Sequence, residues 1–127
     1  MGGIFSVDIR TIHFEQLNKI LNEKTYDTLL INTLPIDEQS CLIDKTIQGQ
    51  YEQNIVSSTN KDNPIIIYGR NHNDKSPYDK YTQLKKLGYT NVSVYSGGLC
   101  EWVLLSEYYG RIHFKLTDDC KDLLTLT

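Results

Sequence analysis

A chain of 127 residues, 39% hydrophobic and 23% charged, is long enough to bury one real core and has the balance of an ordinary globular domain. Its net charge of −3, with no basic stripe, excludes non-specific nucleic-acid binding. No apolar run approaches a membrane span and no signal-peptide core is present, so an intracellular, cytoplasmic protein is expected.

The N-terminal segment, residues 1–11, carries its own signal. Met1-Gly2-Gly3-Ile4-Phe5-Ser6 matches the pattern in which Gly2, exposed by removal of Met1, is N-myristoylated. The plain alternative is a flexible start with two glycines. One acyl chain gives only weak attachment. No cysteine lies nearby for a second chain, and Arg10 is the only neighbouring basic residue. Peripheral membrane contact through Gly2 therefore calls for a protein partner or many copies.

Ile12-His13-Phe14-Glu15-Gln16-Leu17 predicts a helix start, with Phe14, Leu17, Ile20 and Leu21 on one apolar face. His13 and Gln16 suit a capping box, and Ile12 and Leu17 a staple across it. Thr28–Asn32 predicts a buried strand, and Cys41-Leu42-Ile43 a second, shorter one after a polar loop broken by Pro35. Ile47, Tyr51 and Ile55 fall four apart, which predicts a helix through Gln50–Ser57. Pro64–Tyr68 is an unbroken β-branched and aromatic run, the pattern of a central strand. Ser76-Pro77-Tyr78-Asp79 opens a helix with a cap, a proline and an acidic residue, and Gly88 stops it after Leu87. Asn91–Tyr95 alternates as a strand, and Gly97-Gly98 opens a last helix carrying Leu99, Trp102, Val103 and Leu105. Residues 111–127 show little pattern and are expected to drape over the surface.

Alternating strands and helices imply an α/β fold whose mainly parallel sheet is covered on both faces. Ligands in such sheets sit beyond the carboxyl ends of the strands. The loop from Gly69 to Lys75 leaves one of those ends. Strand, polar loop and helix N-terminus together make an anion cradle of inward-facing N–H groups.

Three stretches in order are similar to a known pattern: Pro64–Arg70, Leu84-Lys85-Lys86-Leu87-Gly88-Tyr89-Thr90-Asn91-Val92, and Tyr95–Trp102 with its Gly97-Gly98 pair. They resemble the second half of a rhodanese-like domain, and Asp27–Asn32 resembles that family's first core strand, with Asn32 where an aspartate is usual. The resemblance covers residues 12–110 and implies a three-layer α/β/α domain with a mainly parallel sheet of four to five strands. It also implies a catalytic cysteine at the first loop position, where a thiolate takes up sulfane sulfur as a persulfide. This chain has Gly69 there, which can neither hold a persulfide nor attack phosphorus. Arg70 matches the family. If Lys75 is the basic residue that closes the cradle, five residues separate it from Gly69, a longer loop that resembles the cell-cycle phosphatases on this fold. Lysine then replaces the bidentate arginine expected for phosphate.

The resemblance thus implies a catalytically inactive module that binds or scaffolds an unidentified protein partner. The alternative is a sulfurtransferase or phosphatase with an unorthodox nucleophile, Cys41 or His72. A lone loop histidine is usually solvated, and Cys41 beside Leu42 reads more simply as a small buried residue. Arg70, Asn71, His72, Asn73, Lys75 and Ser76 are the candidate contacts for a phosphate-like anion, unless Asp74 neutralises Lys75 and the loop is only a connector. Cys41, Cys100 and Cys120 are odd in number and lack CxxC spacing, so neither a disulfide framework nor structural zinc is expected, and Cys120 has no visible partner. His13, His72 and His113 share no ligand spacing, so no metal and no cofactor is expected.

Overall fold

The apolar runs of the sequence become neighbouring strands because alternate residues of each are buried on opposite faces of one sheet. The structure, a computed structural model, describes residues 9–24, 26–118, 120 and 123–127; the Gly2 signal lies outside them. Five strands, β1 (Thr11–Ile12), β2 (Leu29–Asn32), β3 (Thr46–Ile47), β4 (Ile65–Tyr68) and β5 (Val92–Tyr95), lie in the order β1-β5-β4-β2-β3. Every pairing is parallel. Leu30, Ile66, Tyr68 and Tyr95 face one layer, packed with Leu17 and Leu21 of α1 (Phe14–Leu21) and Leu99, Trp102 and Val103 of α4 (Gly98–Tyr109). Ile31, Ile65, Ile67, Val92 and Val94 face the other, under Val56 of α2 (Glu52–Ser57) and Tyr81 and Leu84 of α3 (Ser76–Lys86). The three-layer α/β/α architecture follows from this division, and β4 is central with all four residues buried.

Trp102 anchors the first layer. It is fully buried, meets Tyr95 and Phe114 edge-on with centroids 5.9 and 5.2 Å away, and its indole N–H donates to the Lys115 carbonyl at 2.9 Å. Burying an aromatic side chain of this kind contributes about 1.5–3 kcal/mol, and such ring pairs about 0.5–1.5 kcal/mol more.

Five expectations need correction. Cys41-Leu42-Ile43 is no strand: only Ile43 bridges, antiparallel, to Leu116, and the strand lies at Thr46–Ile47. Ile47 therefore belongs to the sheet, and the helix expected through 50–57 begins as a tight turn at Gly49–Tyr51 before α2. The C-terminal region does not merely drape: Phe114 and Leu126 are buried in the first layer. Cys120 has a partner, since it forms a disulfide with Cys41 with Cα atoms 5.5 Å apart, inside the range that a disulfide spans. Cys41 is half-buried, not a core residue. Cys100 is the free cysteine.

At the start of α1 the expected cap is present in part. The His13 N–H donates to the Gln16 side chain at 2.9 Å, satisfying an amide that the helix itself leaves open. Among the described residues, no helix is long and apolar enough to cross a membrane.

Candidate functional site

Strand β4 hands the chain to the loop at Gly69, which is buried at the carboxyl end of the sheet. The loop is fixed from behind by α4. The Leu99 N–H donates to the Gly69 carbonyl at 2.9 Å, and the Cys100 N–H to the Arg70 carbonyl at 2.8 Å, so two amides at the start of α4 find their acceptors in the loop. Gly98 makes this approach feasible. Its φ is +71°, and an added Cβ would lie 2.8 Å from the Asn71 backbone nitrogen.

The front of the cradle is filled by the chain itself. The Asp74 carboxylate accepts from the Arg70 N–H at 2.9 Å, the Ser76 N–H at 3.0 Å and the Ser76 hydroxyl at 2.7 Å. It stands where a bound anion would stand at the N-terminus of α3. Burial pulls its pKa upward, but the Arg70 and Ser76 donors and the Arg70 charge outweigh this and hold it below the ordinary carboxylate value. A Cβ on Gly69 would collide with this carboxylate and come within 2.9 Å of the Pro77 ring. Because the folded pKa is depressed, the stability Asp74 contributes is complete above its ordinary value of 3.8 and is lost as pH falls through the lower folded value. In an acid titration, the amide signals of Arg70 and Ser76 are expected to report a carboxylate ionising below 3.8.

The candidate anion contacts do not converge. Arg70 turns outward to Glu38, at 2.6 Å, and to the Thr125 carbonyl, at 3.0 Å. The Asn71 side chain donates to the Leu126 carbonyl at 2.8 Å, while its oxygen accepts from the Asn73 N–H at 2.9 Å in a local turn. His72, Asn73 and Lys75 are exposed. Ser76 contacts Asp74 and, through its hydroxyl, Thr33 at 2.6 Å. Asp74 thus engages Arg70 and Ser76, and no contact places it on Lys75. An open cleft of about 400 Å³ lies in front of the loop, bounded by Leu34, Pro35 and Asn71.

Cys41 is bonded to Cys120, and burial, with the Glu101 charge beside it, pushes the Cys100 thiol upward, away from the reactive thiolate. Tyr95 at the end of β5 is also pushed up, first by burial and then by its 2.5 Å hydrogen bond to Glu101, so it stays a donor. Among the described residues, no group of His, Cys, Asp or Glu side chains converges as metal ligands do.

The opposite wall rests on a buried amide pair. The Asn32 side chain donates to the Gln39 oxygen at 2.9 Å and accepts from the Gln39 amide at 2.9 Å and from the Leu34 N–H at 3.1 Å. Asn32, unlike an aspartate, both donates and accepts, which is what the reciprocal pair with Gln39 requires. Gln39 has no signal in the sequence, and Asp74 was expected only under the alternative in which it neutralises Lys75. For Asp74 a signal existed: an aspartate two residues before the serine that opens a helix is placed to accept from that serine's N–H.

Comparisons with known proteins agree with this architecture. The rhodanese-like domain family matches residues 14–105. The Alr3790 protein of Anabaena sp. is similar in structure, with a TM-score of 0.64 and 17% identity over 91% of this chain and 85% of that one. The BH2092 protein of Bacillus halodurans is similar too, with a TM-score of 0.66 and 15% identity over 80% of this chain and 74% of that one. Among curated proteins no sequence matches. With most of its length matched by the family and its fold shared with these structures, the chain belongs to the rhodanese-like domain family.

Proposed function

We propose that this rhodanese-like domain is a binding or scaffolding module without sulfurtransferase activity. Gly69 occupies the position that the family fills with its catalytic cysteine, and one observation carries the reading: the Asp74 carboxylate sits against Gly69 on the donors that a persulfide or oxyanion needs. An anion built into the cradle makes the loop a rigid surface instead of a reaction centre. The test is turnover. Purified protein, with and without reductant, is expected to produce no thiocyanate from thiosulfate and cyanide and to leave a generic phosphate ester intact. Turnover that disappears in Cys41→Ser would overturn the proposal.

Among the candidate contacts Arg70, Asn71, His72, Asn73, Lys75 and Ser76, a phosphate-like anion can take the Arg70 and Ser76 N–H groups only by displacing Asp74. Phosphate is therefore expected to shift the amide signals of residues 70–76 at least about tenfold more weakly in the natural protein than in Asp74→Ala. Equal responses from the two proteins would show that Asp74 is no obstacle. The same substitution, removing a charged acceptor from a helix N-terminus, is expected to lower stability by about 1–2 kcal/mol, read from denaturant midpoints.

Myristoylation of Gly2 would bring this module to a membrane surface, where its partner protein would have to supply the remaining affinity. Intact mass of the protein from its native cell tests it: an added acyl chain is expected, and an unmodified Gly2 removes the membrane reading.

A further inference from the structure

The last helix is apolar on two sides. Its inward face, with Leu99, Trp102 and Val103, is buried in the first layer. A helix whose other side meets water ordinarily carries polar residues there. Helix α4 instead presents Leu104, Tyr108 and Tyr109, which are 49%, 82% and 57% exposed, and the turn after it adds Ile112 at 82%. These four large apolar side chains fall within residues 104–112.

The face is held rigidly from beneath. Leu104 and Tyr108 lie one turn apart on α4 and are neighbours on its surface. The Tyr108 ring meets Tyr109 edge-on with centroids 4.7 Å apart, and Tyr109 rests on Phe114 at 5.8 Å. The helix ends at Gly110, whose carbonyl accepts from the His113 and Phe114 N–H groups at 3.1 and 3.2 Å. That turn sends Phe114 inward against Trp102 and leaves Ile112 outside. Side chains fixed in this way lose little freedom when they are covered, so association costs less.

We propose that this face is a two-fold dimer contact, covered by a second copy of this chain. Area and charge both favour that occupant. The four side chains leave about 500–600 Å² per copy in water, so pairing two faces removes about 1,000 Å² or more, the size at which specific interfaces begin. A patch of this extent is at the upper end of what a monomer exposes. Glu107 and Arg111, four positions apart, border it with opposite signs, so the face has no net charge to select an acidic or a basic partner. In an antiparallel two-fold pair each Glu107 approaches the partner's Arg111, whereas a parallel pair sets like charges together. This uses the charge of Arg111 and leaves its bonds within its own chain intact. The contact is small, so the dimer is expected to dissociate with a Kd of about 1–100 µM.

The dimer has a consequence for the cradle. Helix α4 begins at the loop, where Leu99 and Cys100 bond to Gly69 and Arg70, and its far end lies about 18 Å away. Pairing through the far end leaves both Gly69–Lys75 loops uncovered. One particle then presents two identical loop surfaces, and a partner with repeated sites gains avidity from both. That consequence rests on the binding reading, and the dimer itself does not.

Sedimentation equilibrium and ¹⁵N NMR of the full chain at about 5–500 µM, a range that brackets the expected Kd, test the contact. The mass is expected to rise from one chain to two and stop there. The amide signals of residues 104–112 should move with concentration, while those of residues 69–76 stay. Tyr108→Asp and Ile112→Lys, both at exposed positions, should each weaken association at least about tenfold with Trp102 fluorescence unchanged. Leu87→Lys, at a site 57% exposed at the end of α3, should leave association as it is. A chain that stays monomeric throughout overturns the proposal, whether the face is then bare, covered by the chain's own N-terminus or kept for a different protein. Growth beyond two copies overturns it as well, since a two-fold contact closes at two. So does a dimer whose concentration-dependent signals lie outside 104–112, or one that Leu87→Lys weakens as much as Tyr108→Asp does. None of these results touches turnover, so the dimer and the lack of sulfurtransferase activity stand or fall separately.

Discussion

Gly98→Ala is expected to lower stability by about 2–5 kcal/mol and, in a domain of this size, the melting temperature by about 10–20 °C. Two independent terms act on this position. An alanine held at φ +71° costs about 1–2 kcal/mol, because its Cβ crowds the following carbonyl. That Cβ also lies 2.8 Å from the Asn71 nitrogen, 2.9 Å from the Asn71 Cα and 3.0 Å from the Arg70 carbonyl carbon. All three are backbone atoms, so nothing can rotate away, and overpacking of this kind costs about 1–3 kcal/mol. Relief would require α4 to retreat from the loop, which would break the Leu99 and Cys100 hydrogen bonds to Gly69 and Arg70. Gly97→Ala is the control. Its backbone is ordinary helical, and the added Cβ meets side chains and no backbone, the end of Glu101 and the Tyr95 hydroxyl at 2.9 Å, so a smaller loss is expected. Thermal and denaturant melts check both, and a Gly98→Ala protein within about 0.5 kcal/mol of the natural one would show that the contact between loop and helix is soft.

The loop and its flanking elements were legible because their signals are local. The Pro64–Tyr68 run, the Ser76-Pro77 helix start and the Gly97-Gly98 turn each declare themselves within a few residues, and the structure places them at 65–68, 76 and 98. Strands β1 and β3 were not legible, because two residues become a strand only through their partners. Thr11 and Ile12 pair with Val94 and Tyr95, and Thr46 and Ile47 with Leu30 and Ile31. The C-terminal region hid its role for the same reason. Ile112, Phe114 and Leu116, and then Leu123, Leu124 and Leu126, are apolar, but nothing local says which of them are buried, and only the folded chain brings Phe114, Cys120 and Leu126 to Trp102, Cys41 and Leu99. Asp74 is the instructive failure. Charge counting pairs it with its neighbour Lys75, whereas its geometry, two residues before Ser76, pairs it with backbone N–H groups. Donor direction decided the outcome, and formal charge did not.

Gly69→Cys is expected to yield a destabilised protein with no sulfur-transfer activity, because the cradle cannot accommodate two anions. The new Cβ meets the Asp74 carboxylate and the Pro77 ring at 2.9 Å, an overpacking that costs about 1–3 kcal/mol. If Asp74 yields, its hydrogen bonds to Arg70 and Ser76 are lost. If it stays, a carboxylate lies against the thiol and a like charge disfavours the thiolate. In either case the donors that would stabilise a persulfide are engaged or misplaced. The double variant Gly69→Cys/Asp74→Ala separates these effects. Removing the carboxylate leaves the Arg70 and Ser76 N–H groups facing the sulfur, and donors at a helix N-terminus lower a thiol's pKa. At neutral pH the introduced cysteine should therefore react with iodoacetamide about tenfold or more faster in the double variant, the change that one pKa unit produces. Cys100 gives only a slow background, because burial and Glu101 hold its thiol protonated. Equal alkylation rates in the two proteins, or thiocyanate production by Gly69→Cys alone, would mean that Asp74 does not fill the site. If the rates separate as expected, the glycine and the aspartate form one feature: Gly69 is small because Asp74 occupies the space and the donors that a catalytic cysteine would need.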